Sequence, residues 1–145
     1  RAAVRSRGFW ERGLQSAWYD KRGVTAELVD AYRMPQLVKG WEGGMLRFVR
    51  AKLTGPATTM SRLRSATEPV MLLSMAERFA AAAAEHNIRV LLVHGQQDAL
   101  VPVSNSRRLA ALLGCRLIEV ERCGHQPQEE VPEQFAKWVA DFVEA

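Results

Sequence analysis

The chain has 145 residues, room for one ordinary domain and too few for two independent cores. With 48% of residues apolar and 25% charged it should fold, which excludes disordered, collagenous and low-complexity classes; two cysteines cannot staple a chain this long. Net charge is +4, yet residues 1–64 hold 13 Lys or Arg against 5 Asp or Glu, while residues 65–145 hold 7 against 11.

A basic first part could meet a protein partner or an anionic surface. Its arginines are spread over several predicted helices, as on an ordinary solvated face, and no nucleic-acid module accompanies them. No window reaches the roughly 18 uninterrupted apolar residues of a spanning helix, and no charged-then-apolar leader opens the chain, so the expectation is a soluble protein. The chain opens on Arg1 rather than methionine, and residues are expected to precede it.

Residues 1–66 are punctuated by Gly and Pro and show only helical periodicity. Thr25 predicts an N-cap, with Glu27 in the first turn and Leu28 and Tyr32 on one face. Pro35 should stop that helix, because it has no amide proton and biases Met34 away from helical backbone. A second helix is predicted from about Gly44 to Leu53, ending at Gly55-Pro56, with Leu46, Val49 and Leu53 in one stripe. Seven of the eleven aromatics fall here: Phe9, Trp10, Trp18, Tyr19, Tyr32, Trp41 and Phe48. Short helices cannot bury so many rings among themselves, so they should lie across another surface.

From Thr67 the pattern changes. A helix opened by Pro69 runs to about His86 on the stripe Leu72, Ala76, Phe79 and Ala83. Residues 89–94, with four aliphatics in a row, predict a strand buried on both faces, as in parallel sheets. Ser104 predicts the N-cap of a helix closed by Gly114, with Leu109, Leu112 and Leu113 inward. Arg116–Val120 predicts a second strand, nearer an edge, and Pro132 opens a last helix with Phe135, Val139 and Phe142 inward. Strand, helix, strand, helix is a parallel α/β unit, and such sheets place their chemistry at the carboxyl ends of the strands.

After the first strand come His94, Gly95, Asp98, Val101 and Pro102; after the second come Cys123, Gly124, His125, Glu130 and Pro132. An aspartate and a histidine delivered to one sheet edge can form a carboxylate–imidazole pair, the base half of a hydrolytic triad. A metal set drawn from Cys123, His125, His94 and Asp98 lacks zinc spacing. Cys123 as nucleophile would abandon the chain order that makes the His125 pair sensible. His94 reads as a supporting or structural residue, and His86 as a surface residue at a helix end.

The run Val90 to His94, Gly95, Asp98 and Pro102, then the helix to Leu113, then Gly124, His125, Glu130, Pro132 and Phe135, resembles the C-terminal third of an α/β-hydrolase, over about residues 88–145. The resemblance implies that Asp98 and His125 hold the family's acid and base positions. It also implies a division into a helical cap, residues 1–66, and the C-terminal part of the core, residues 67–145. Ala17 to Asp20, Tyr32, Pro35 and Gly40-Trp41 resemble cap segments of plant and algal members, which would set Trp10, Trp18, Tyr19 and Trp41 around an acyl pocket.

The nucleophile elbow G-x-S-x-G is absent from the 145 residues, and the sole His-Gly pair belongs to the acid strand. A strand apolar on both faces also needs more neighbours than this chain supplies. The implied function is a serine-type hydrolase of carboxylic ester or related acyl bonds, without cofactor or metal, lacking its nucleophile here and completed by further residues on the same or another polypeptide. The alternatives are a hydrolase-derived scaffold subunit, or an epoxide hydrolase type with an upstream aspartate nucleophile.

Overall fold

The computed structural model describes residues 5–54 and 70–145, with side chains over 5–51 and 75–145. The expected division at residues 66 and 67, the Gly55-Pro56 helix end and the Pro69 helix start lie outside the described residues. Among the described residues no helix is long and apolar enough to cross a membrane.

Helix α1 (Arg7–Ala17) is capped by Ser6, whose hydroxyl accepts the Phe9 amide at 3.3 Å. A 3₁₀ turn, Lys21–Gly23, leads to α2 (Ala26–Arg33), where the Thr25 hydroxyl accepts the Leu28 amide as the sequence predicts. Pro35 does not simply halt the chain: it sits in the first turn of a 3₁₀ segment, Met34–Leu37, where its missing amide proton costs nothing. Leu14 and Ala17 of α1 and Val29 of α2 are buried, Val29 almost completely. Burying Leu14 and Val29 contributes about 1.5–3 kcal/mol each. Helix α3 (Trp41–Thr54) starts three residues earlier than predicted and takes Gly43 and Gly44 inside it, beginning where Gly40 reverses the chain at φ 84°.

The second region is built on α4 (Val70–Glu85), closed by Asn87 in the left-handed region at φ 52°. Strand β1 (Leu91–Gly95) and strand β2 (Arg116–Val120) pair in parallel, in register from Leu91 opposite Arg116 to Gly95 opposite Val120. Arg89 and Val90 fall outside β1 because the register would set them opposite Gly114 and Cys115, where the helix before β2 closes. That helix, α5 (Val103–Leu113), has Pro102 rather than Ser104 at its N-cap position, and Gly114 closes it in the left-handed conformation at φ 61°. Ala110 is its buried residue, whereas Leu112, expected inward, is exposed.

Leu91 to His94 are half-buried rather than enclosed on both faces, since β2 is the one strand beside β1 among the described residues. A one-turn helix α6 (Pro127–Glu130) and the amphipathic α7 (Pro132–Glu144) finish the chain. Phe135 and Phe142 are half-buried along α7 with Trp138, and Val139, expected with them, is exposed. Among the described residues the architecture is α/β, a two-stranded parallel sheet with its helices, preceded by α1, α2 and α3, of which α1 ends against the turn after β2.

Candidate active site

Two turns meet at the carboxyl ends of the strands, and the backbone explains why. Past the last ladder pair, the Gln96 amide donates to the Val120 carbonyl at 2.9 Å and the Gln97 amide to the Cys123 carbonyl at 3.0 Å. The Cys123 amide returns a bond to Gln97 Oε1 at 3.2 Å. The pairing of the strands is thus carried into the loops. Gly95 is required there: a Cβ on it would stand 2.0 Å from the Gly124 carbonyl and 2.4 Å from that of Cys123.

Asp98 stands on the first turn. Its Oδ1 accepts the amides of Leu100 and Val101 at 2.8 and 2.9 Å, a local turn that leaves Oδ2 aimed outward. Oδ2 lies 2.8 Å from His125 Nδ1. The Asp98 side chain is 3% exposed and that of His125 40%. Burial, the largest single influence on the Asp98 carboxyl, pushes it up; the His125 hydrogen bond and the two amides together outweigh it and hold the group below the ordinary carboxylate range. An ionised carboxylate only accepts, so the proton of this hydrogen bond belongs to Nδ1 of His125 and leaves Nε2 with a free lone pair.

His94 lies against the same carboxylate with the opposite arrangement. Its Nε2 is 3.0 Å from the Val101 carbonyl and 3.3 Å from Asp98 Oδ2, two acceptors, so the proton sits on Nε2. Its Nδ1 then accepts from the Ser106 hydroxyl at 2.7 Å. His94, 12% exposed at its side chain, thereby ties the Asp98 turn to α5 through Val101 and Ser106.

The second turn is held by Glu130. Its carboxylate accepts the Gly124 amide at 2.9 Å on both oxygens, the Gln126 amide at 3.2 Å and the Tyr19 amide at 2.8 Å. The amide of His125 itself donates to the Ala17 carbonyl at the end of α1 at 2.8 Å. Nearby, Gln126 Oε1 accepts the Trp18 indole at 3.1 Å, and the Tyr32 hydroxyl, 3.1 Å from the same oxygen, donates its one proton to Glu129 at 2.8 Å. Cys123, fully buried, has its thiol pushed up to about 12 by burial first and by the Glu130 charge next. It stays a neutral thiol and is no nucleophile.

No protein-family model matches the chain. It is 27% identical over 133 residues to the uncharacterized hydrolase YugF of Bacillus subtilis strain 168, covering 91% of this chain and 41% of YugF. A crystal structure of the meta-cleavage product hydrolase CumD superposes with TM-score 0.66 at 22% identity, over 96% of this chain and 46% of CumD. A variant of the Pseudomonas fluorescens IP01 enzyme complexed with acetates gives 0.67 at 24%. The chain has part of the α/β-hydrolase fold. It spans less than half the length of the relatives it matches.

Within this partial hydrolase fold the structure joins Asp98 to His125 directly and brings Trp18 and Tyr19 to the His125 turn. The Trp18 ring also lies over Gly23, where a Cβ would meet it at 2.5 Å, so this side chain docks the helical region. Trp10 stands on α1 edge to face with Phe9, ring centroids 5.8 Å apart, and Trp41 opens α3; neither belongs to the described hydrogen bonds of the pair. Sequence reasoning missed the tie from His94 to Ser106 and the task of Glu130. Glu130 at least had a signal, a carboxylate five residues after His125 in a short turn.

Proposed function

We propose that the chain carries the acid and the base of a serine-type hydrolase acting on carboxylic esters or related acyl bonds. The observation that carries this reading is the 2.8 Å bond from His125 Nδ1 to the buried, ionised Asp98, on a ring still 40% exposed. In the step this geometry supports, a serine hydroxyl gives its proton to His125 Nε2 as its oxygen attacks the acyl carbon, and Asp98 stabilises the imidazolium that forms. His125 then returns the proton to the leaving alcohol, and a water molecule repeats the sequence on the acyl-serine. The serine would come from residues outside these 145, since none of theirs stands in a G-x-S-x-G elbow. Residues 1–66 would serve as the cap, with Trp18, Tyr19, Trp10 and Trp41 beside the acyl group.

The test is labelling by a fluorophosphonate probe in the protein expressed from its full reading frame, with the adduct mapped by peptide mass. The reading expects one labelled serine and a fall of at least about 10³-fold in labelling rate in His125→Ala. A protein inert to the probe, or a His125→Ala variant labelling at the wild-type rate, contradicts it; inertness would leave a scaffold subunit or an aspartate nucleophile.

A further inference from the structure

We infer that Glu130 is the positioning residue for His125, and that the end of α1 is clamped by the same carboxylate, so that the base keeps its place only while the helical region is docked. The inference rests on the hydrolase reading for its catalytic consequence, though not for the clamp itself.

The amides on either side of His125, those of Gly124 and Gln126, point to Glu130, and the amide of His125 points the other way to Ala17. All three amides of the turn are therefore fixed, two by a charge, and bonds of this kind are about twice as strong as neutral ones. The third amide on this carboxylate, from Tyr19, belongs to the chain just past α1, more than a hundred residues away in sequence. One side chain thus couples the base turn to the helical region.

Gly124 shows how closely the two are pressed together. A Cβ there would lie 2.2 Å from the Ala17 carbonyl, 2.8 Å from the Tyr19 amide and 3.0 Å from Glu130 Oε1. The glycine of the Gly-His pair is needed for this approach, and its φ is not in the left-handed region. Of the titratable neighbours, Cys123 is held as a neutral thiol and Glu129 is engaged by Tyr32, so the charge facing the amides is that of Glu130. An amide in its place would present an NH₂ group to donors that have nothing else to give to.

Two measurements on the protein from its full reading frame test this. In Glu130→Gln, hydrogen exchange at the backbone amides of Tyr19, Gly124 and Gln126 should accelerate together over the wild type, because one side chain holds all three. In Glu130→Gln, kcat on an activated ester should fall roughly 10- to 100-fold with KM held within about twofold, the signature of a displaced base rather than lost binding. Glu130→Asp should recover part of that loss. A Tyr19 amide that exchanges at the wild-type rate in Glu130→Gln overturns the clamp, and a Gln variant with wild-type kcat overturns the positioning role. If the wild type itself hydrolyses nothing, the hydrolase reading fails, and the amide exchange still decides the clamp.

Discussion

In residues 5–54 the ion pairs, Arg7 and Arg33 with Asp30, Arg22 with Asp20 and Arg5 with Glu42, involve partly or largely exposed side chains, where solvent weakens them. In residues 70–145 the two carboxylates that matter point at backbone amides: Asp98 at Leu100 and Val101, Glu130 at Gly124, Gln126 and Tyr19. In the helical region Asp20 caps only its own turn through the Arg22 amide, and the α/β region has its own surface pair, Arg107 with Glu119, but Glu130 alone of these acids holds amides from both regions. Local charge therefore says little about where the chemistry lies, and what each carboxylate accepts says much.

The largest expected effect on this contrast is Asp98→Asn, which keeps size but loses the acceptor that sets the His125 proton. Esterase or probe turnover should fall on the order of 10⁴-fold, measured by labelling rate, while thermal unfolding shifts little by comparison. Removing Arg22, in contrast, should leave turnover and unfolding unchanged.

Gly124→Ala comes next, because the added methyl must push Ala17 away from the base turn. It should cost about 3 kcal/mol in urea unfolding, and hydrogen exchange at the Tyr19 amide should accelerate. A small cost with Tyr19 still protected would show that the two regions are not pressed together there. Val29→Ala, confined to the packing of α1 on α2, should cost about 2 kcal/mol by the same unfolding measurement and leave the His125 turn in place.

Acid should act more gently, within the α/β region. The Asp98 carboxyl is lowered from its ordinary value of 3.8, so its contribution is fully present above that value and is lost only as pH falls through the lower, folded value. Loss of the His125–Asp98 bond while the pH is still above 3.8, followed by ring signals of His125, would contradict this. The smallest effect expected is chemical: Cys123, with its thiol near 12, should resist iodoacetamide in the folded protein at pH values where Cys115 reacts.

Much of the α/β region was legible because its signals are local. Gly114 closes α5, Pro132 opens α7, and the second strand is bounded as its residues dictate. The spacing of Gly95, Asp98, Gly124 and His125 placed an acid and a base on one edge. Signals failed where the deciding partner is remote. Nothing near Glu130 in sequence announces the Tyr19 amide, and nothing near Trp18 announces Gln126, 108 residues away. The α3 start at Trp41 was missed because helix propensity counts against Gly43 and Gly44, while the reversal at Gly40 fixes the boundary. The resemblance implies a pocket role for Trp18, and no local signal announces that its indole bonds Gln126 and its ring covers Gly23.

The most direct test is the ¹⁵N spectrum of the His125 ring in the folded protein, at a pH where the imidazole is neutral. Shifts that put the proton on Nδ1, and that lose this preference in Asp98→Ala, are what the geometry requires of a base with Nε2 free to accept. A wild-type ring carrying its proton on Nε2 would leave no lone pair facing a nucleophile and would contradict the account.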